Sequence, residues 1–168
     1  MHKIISTVSI IILVLAGLAW LGSSASQSEA AQKKYSGQNN TSTLAAPETR
    51  FDFGSISMKN GNVTKDFTVS NPTQKNIFIP TITTSCMCTK AYIVESDGTE
   101  KGPFGMPGMG YVPPANETIR VGESRIIRVI FNPAAHGPAG VGAINRIITL
   151  TDADSGELNL EIKALVTP

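Results

Sequence analysis

The pattern that most constrains this chain is a succession of short apolar runs, split by turn residues, which begins at Phe51 and continues to Val166. In "FDFGSISM" and "LNLEIKALV" apolar and polar side chains alternate, as they do on a strand with one buried face. Turn sequences such as "NGN" separate the runs, and helical periodicity is absent after residue 22. The pattern therefore predicts an all-β domain.

The number and spacing of these runs narrow the fold class. About seven runs, at intervals of roughly ten residues, are typical of an immunoglobulin-like antiparallel β-sandwich, and a closed barrel is the alternative. The 15 glycines and 10 prolines, with only 16% charged residues, agree with many turns. The two cysteines are one residue apart and so cannot join two opposing sheets. The core is therefore expected to hold by packing alone.

The N-terminal region predicts export. An apolar run over residues 4–21 follows "MHK", so residues 1–22 are either a signal peptide or an N-terminal membrane-anchor helix. Residues 23–49 are rich in Ser, Gln, Asn, Ala and Thr, which predicts a disordered polar linker. Residues 50–168 are predicted to form the sandwich domain. We expect this domain outside the cytoplasm, anchored to the membrane or, if the leader is cleaved, periplasmic or secreted.

Charge and composition exclude several function classes. The formal net charge is +1, from 14 Lys and Arg against 13 Asp and Glu, so no nucleic-acid partner is expected. No nucleophile motif accompanies a histidine, and His2 lies in the leader, which predicts a non-enzymatic protein with no catalytic residues. Asp152 and Asp154 resemble half a calcium loop but are expected to form a solvated hairpin turn.

The stretch "TTSCMCTK" carries the only two cysteines, Cys86 and Cys88. In a flat strand residues i and i+2 share a face with Cα atoms ~6.6 Å apart, at the upper limit for a disulfide. A Cys86–Cys88 disulfide therefore requires a bulge or turn at Met87. Free, packed thiols are a second alternative, and a soft-metal site is the third, since paired thiolates select Cu(I). A redox catalyst is disfavoured, because Cys-x-x-Cys at a helix start is absent.

Loops that follow the cysteines offer further soft ligands. Met106 and Met109 lie in the Gly- and Pro-rich stretch "GPFGMPGMGYVPP", where no strand period requires an apolar residue, and His136 lies in "NPAAHGPAGVG". Because loops gather at the ends of a sandwich, these three residues are candidates to join Cys86 and Cys88 in a Cu(I) site. Packing of the methionines and solvation of the histidine are the alternatives.

Five blocks, in order, carry a family resemblance: "FDFGSI", "KDFTVSNPTQKNIFI", "SCMCT", "IRVGESRIIRVIFNPAAHGPAG" and "LNLEIKALV". From about Arg50 to Val166 the chain resembles the bacterial family of exported proteins called domain of unknown function fifteen-seventy-three, within the Hydin-like and major-sperm-protein-like sandwich group. That family usually has glycine where Met87 stands, and Pro-Gly-Glu where residues 121–123 read Val-Gly-Glu. The resemblance implies the sandwich fold and assigns no activity.

The sequence thus predicts a non-enzymatic, exported immunoglobulin-like domain that serves as a scaffold or protein-interaction module of the cell envelope. The alternative is a copper-binding protein that uses Cys86 and Cys88 with loop ligands. Its membrane contact, if the leader is retained, is the N-terminal helix.

Overall fold

A computed structural model of the chain describes residues 41–168. The predicted leader and most of the predicted linker lie outside the described residues. Within residues 41–168 no helix is long and apolar enough to cross a membrane.

The described residues form ten strands and two short 3-10 helices, at Met58–Asn60 and Gly137–Gly140. The strands are β1 (Arg50–Ser57), β2 (Val63–Ser70), β3 (Ile77–Ile79), β4 (Thr81–Thr84), β5 (Thr89–Val94), β6 (Glu100–Phe104), β7 (Glu117–Ile119), β8 (Ser124–Phe131), β9 (Gly142–Thr151) and β10 (Glu157–Thr167). One sheet has the order β1-β10-β9-β4, a second has the order β2-β8-β5-β6, and β3 pairs with β7.

The prediction of an all-β domain with antiparallel sheets is confirmed, with two differences. The strand count is ten and not about seven. Pro80, which lacks an N–H group, and the cysteine turn divide the run over residues 77–94 into β3, β4 and β5, and residues 100–104 add β6. In addition, β1 pairs with β10 in parallel, whereas the other paired strands are antiparallel. The first strand thereby covers the backbone edge of the last one.

The core lies where the period-two pattern predicts it. On β8, Ile127, Val129 and Phe131 are buried, and on β10 the alternate residues from Leu160 to Val166 are buried. Apart from Ala164, these side chains belong to one core cluster with residues of the other strands. Since burial of one such aliphatic or aromatic side chain stabilises a fold by about 1.5–3 kcal/mol, packing supplies the main stabilisation.

Packing begins earlier in the chain than the sequence predicts. Leu44 is only 5% exposed and belongs to the core cluster. The backbone of Ala45 exchanges two hydrogen bonds with Ser70, of 2.9 and 2.8 Å. Residues 41–49, which the sequence assigns to the linker, therefore pack against the domain. The reason is that "TLAAP" offers an apolar side chain that fills the core beside β2.

The hairpin turn between β9 and β10 is closed by a buried carboxylate. Asp152 Oδ1 accepts from the backbone N–H of Gly156 at 2.7 Å and of Asp154 at 3.0 Å, and Asp152 Oδ2 accepts from the Ser42 hydroxyl at 2.6 Å. Asp152 is buried, so the expectation of a solvated turn is wrong in that respect. A side chain at Gly156 would lie 2.8 Å from Ser42 Cα, which requires glycine there.

Candidate functional site

The cysteines lie in a tight turn that connects β4 to β5 and so crosses from the first sheet to the second. The backbone N–H of Thr89 donates to the carbonyl oxygen of Cys86 at 3.1 Å. The buried Thr84 hydroxyl oxygen lies 3.0 Å from the carbonyl oxygen of Cys86 and 3.1 Å from that of Thr89. These bonds fix the positions of both cysteines relative to the core.

Cys86 and Cys88 form a disulfide, with a Cα–Cα distance of 5.3 Å. The predicted turn at Met87 is present, and it brings the Cα atoms closer than the ~6.6 Å of a flat strand. The structure therefore differs from the alternative of free thiols. The side chain of Met87, between the two cysteines, is 42% exposed to solvent.

His136 is the second element of the site. Its Nε2 lies 3.2 Å from Cys86 Sγ, and its side chain is exposed. The loop that carries it follows β8 and is tied to the cysteine turn, because Asn132 N–H donates to the Cys88 carbonyl oxygen at 2.9 Å. His136 then caps the 3-10 helix Gly137–Gly140. The proximity of the histidine to the sulfurs thus comes from ordered backbone.

Arg146, on β9, is the third element. Its Nε donates to Cys88 Sγ at 3.3 Å, and its Nη1 donates to the Asn145 carbonyl oxygen at 2.8 Å. The same strand holds the turn, because Ile147 N–H donates to Ser85 Oγ and Ser85 N–H donates to the Ile147 carbonyl oxygen, each at 2.9 Å. A guanidinium beside sulfur stabilises a thiolate there after reduction.

Sequence reasoning missed Arg146, although a signal was present. In "AINRIITL" the residues Ile144, Ile148 and Leu150 share the inward face of β9. Arg146 occupies the same face, where a charged side chain requires a partner. An inward arginine in an alternating strand would have pointed to a buried acceptor, which is the Cys88 sulfur.

The two cysteines of the site differ in exposure. Cys88 is 3% exposed, Cys86 is half-buried and His136 is exposed. Their three potential ligand atoms lie within 4.8 Å of one another. The two sulfurs are bonded to each other, and the His136 imidazole lies beside the sulfur of Cys86.

The predicted methionine ligands lie on the neighbouring loop. That loop follows β6 and is anchored where the Thr84 N–H donates to the Gly105 carbonyl oxygen at 3.1 Å. Met106 is half-buried, whereas Met109 is 54% exposed. The structure thus brings together Cys86, Cys88 and His136, and Met106 and Met109 lie on the adjoining loop.

A second surface feature is the outer face of the β2-β8-β5-β6 sheet. At its centre Arg128 donates two hydrogen bonds to Asp66, of 2.9 and 2.8 Å, and one to Glu100, of 2.7 Å. These bonds raise the pKa of the Arg128 guanidinium. Ile126 on the same strand is 39% exposed, and Tyr92 lies beside Arg128 in the register of β5. The face therefore joins an ion-paired arginine to apolar side chains.

Comparison with protein families gives one match. The family described as "Protein of unknown function (DUF1573)" matches residues 44–102, a segment that includes the cysteine turn. This confirms the family resemblance that the sequence predicts. A search of curated proteins gives no match.

Comparison with solved structures gives distant likenesses. A protein of unknown function from Porphyromonas gingivalis W83 has a TM-score of 0.53 and 15% identity, over 76% of this chain and 48% of that one. A family 123 glycoside hydrolase from Clostridium perfringens has a TM-score of 0.53 and 7% identity, over 74% and 27%. The chain spans about half of the first protein and about a quarter of the second. At these identities the likeness concerns the fold alone.

Proposed function

Starting from the match to the DUF1573 family, we propose that the chain is an exported, non-enzymatic binding domain that holds Cu(I) when its cysteines are reduced. The ligands are the thiolates of Cys86 and Cys88 and the imidazole of His136. One observation carries this proposal: the three ligand atoms lie within 4.8 Å of one another on ordered backbone from two different loops.

The donor set favours Cu(I) over the commoner divalent ions. Thiolates and imidazole are the ligands of soft and borderline metals, and Cu(I) accepts two or three of them. Structural Zn²⁺ takes four protein ligands in tetrahedral geometry, and the group in the described part of the chain has three members. The guanidinium of Arg146 beside Cys88 also favours a low total charge at the metal, as with a monovalent ion.

The wider setting belongs to the same proposal. Export is supported by the apolar run at residues 4–21, and a disulfide fits an oxidising compartment outside the cytoplasm. An immunoglobulin-like assignment is supported by two four-stranded sheets that share one core cluster. The domain would then offer its metal site at one end of a sandwich held outside the membrane.

Titration of the full chain, reduced with a phosphine, with Cu(I) against a competing chelator tests the proposal. The matched comparison is the double variant Cys86→Ser and Cys88→Ser. We expect one Cu(I) per wild-type chain and loss of that binding in the double variant. Wild-type binding no tighter than that of the double variant would sink the proposal.

A second candidate function is a protein-interaction module of the cell envelope. The outer face around Arg128 favours it, because apolar side chains beside an ion-paired arginine are typical of interface centres. The partner would be an envelope protein that offers apolar side chains and an acidic group. A photo-crosslinker at Ile126 should give one defined product in cells, lost with Arg128→Glu. The control is a crosslinker at Lys59, which is exposed and lies outside this face. If it gave the same products, the face around Arg128 would not be a specific interface.

A further inference from the structure

The two sulfurs of the disulfide have unequal surroundings. Cys86 is half-buried, and the side chain beside it is the exposed imidazole of His136. Cys88 is 3% exposed, and the group beside it is the guanidinium of Arg146. Cys86 is therefore the more exposed of the two cysteines, and the sulfur of Cys88 lies beside a fixed positive charge.

We propose that the Cys86–Cys88 disulfide accepts electrons from an extracytoplasmic dithiol, with Cys86 as the attacked sulfur and Cys88 as the leaving group. The inference deepens the proposed function, since a site that binds metal only as a dithiol needs a source of electrons in an oxidising compartment. The partner is identified by its chemistry: it carries two neighbouring thiols. The exchange itself depends on the unequal surroundings of the two sulfurs and does not depend on metal binding.

The reaction balances as two successive displacements. A thiolate of the partner attacks Cys86 Sγ, the Cys86–Cys88 bond breaks, and Cys88 leaves as a thiolate. The second thiolate of the partner then attacks the partner's own sulfur in the mixed disulfide and releases Cys86 as a thiolate. The partner ends as a disulfide, and two electrons have passed to this chain. The two protons of the partner's thiols pass to solvent or to the product thiolates.

Arg146 accelerates the first displacement because it stabilises the leaving group. Exchange is faster when the leaving sulfur is a better thiolate, and the Nε hydrogen bond of 3.3 Å places positive charge at Cys88 Sγ. In the product, the Cys86 thiolate lies beside His136 Nε2, which is the arrangement proposed to receive Cu(I). Reduction thus assembles the metal site with little movement of the backbone.

Trapping tests which sulfur is attacked. The oxidised full chain is treated with the monothiol 2-mercaptoethanesulfonate, quenched with N-ethylmaleimide and mapped by fragmentation of the peptide over residues 76–90. We expect the monothiol on Cys86 and the maleimide on Cys88. The reverse pattern, or equal amounts of both, would overturn the assignment.

Reduction rates test the role of Arg146. With dithiothreitol as the dithiol, Arg146→Gln should slow reduction roughly tenfold, and Arg146→Lys should recover part of the rate. The matched control is Arg120→Gln, which removes an equal charge from an exposed arginine and should leave the rate unchanged. Equal rates for wild type and for both Arg146 variants would overturn this role. The Lys variant keeps the test valid if the Gln variant unfolds.

Two outcomes distinguish this inference from the proposed function. If the phosphine-reduced chain binds no Cu(I) while the monothiol still maps to Cys86, the proposed function fails and the exchange stands. If the chain binds Cu(I) while the monothiol maps to Cys88, the exchange fails and the proposed function stands.

Discussion

Cys86 Sγ lies 3.2 Å from His136 Nε2, although 50 residues separate the two in the chain. The contact joins the turn after β4 to the loop after β8, and the Asn132 to Cys88 backbone hydrogen bond holds the two loops together. Because of this contact, the two cysteines and His136 together form a group of three potential ligands. Copper binding and disulfide exchange are both proposed for this group.

Replacement of the histidine tests its part in the site. His136→Ala should weaken Cu(I) binding by the reduced chain at least about tenfold, because one of three ligands is lost. The free energy of unfolding should change little, since the side chain is exposed. Competition with a Cu(I) chelator measures the affinity, and Val141→Ala, also exposed, serves as the control. Unchanged affinity in His136→Ala would remove the histidine from the site.

The methionines give the opposite expectation. Met106→Leu and Met109→Leu each remove a thioether at nearly constant volume. Because Cys86, Cys88 and His136 already supply three ligands to Cu(I), the Cu(I) affinity of each variant should stay within about threefold of wild type. The same chelator competition measures it. A drop of an order of magnitude in either variant would show that the methionine loop moves to coordinate the metal.

The sequence predicts the strands well because period-two alternation reports directly which face is buried. It also predicts the turn at Met87, since chain geometry alone requires one for a disulfide. It does not predict Leu44 as core, because one apolar side chain in a polar stretch has no period. Arg146 was missed because its contact with Cys88 joins β9 to a turn residue 58 positions away in the chain, and no local sequence pattern contains that contact.

The early start of the packed region predicts a stability effect at Ser42. Ser42→Ala removes the hydrogen bond to the buried Asp152 carboxylate and should lower the free energy of unfolding by about 1–3 kcal/mol. Urea denaturation of the full chain measures the change. Ser55→Ala, at an exposed position of β1, should have almost no effect. If the two variants were equally stable, the segment before β1 would contribute nothing to the fold.

The ion pairs of Glu161 on β10 predict that the fold is less stable in acid. The hydrogen bond from Lys163 lowers the pKa of Glu161, and Arg50 adds to the effect. A carboxyl whose pKa is lower in the folded state stabilises the fold at pH values above its ordinary pKa of about 4.5. That stabilisation is lost as the pH falls through the pKa of the carboxyl in the folded protein. The thermal midpoint of unfolding should therefore decrease as the pH is lowered below about 4.5. The decrease should be less steep in Glu161→Gln, which lacks the titrating carboxyl. Identical acid profiles would contradict this assignment.

The central claim is that the dithiol binds Cu(I) and the disulfide does not. The most direct measurement is the Cu(I) stoichiometry of one preparation of the full chain, divided into an oxidised half and a phosphine-reduced half. We expect one Cu(I) per reduced chain, held against a competing chelator, and none on the oxidised chain. Equal Cu(I) retention by the two halves would contradict it.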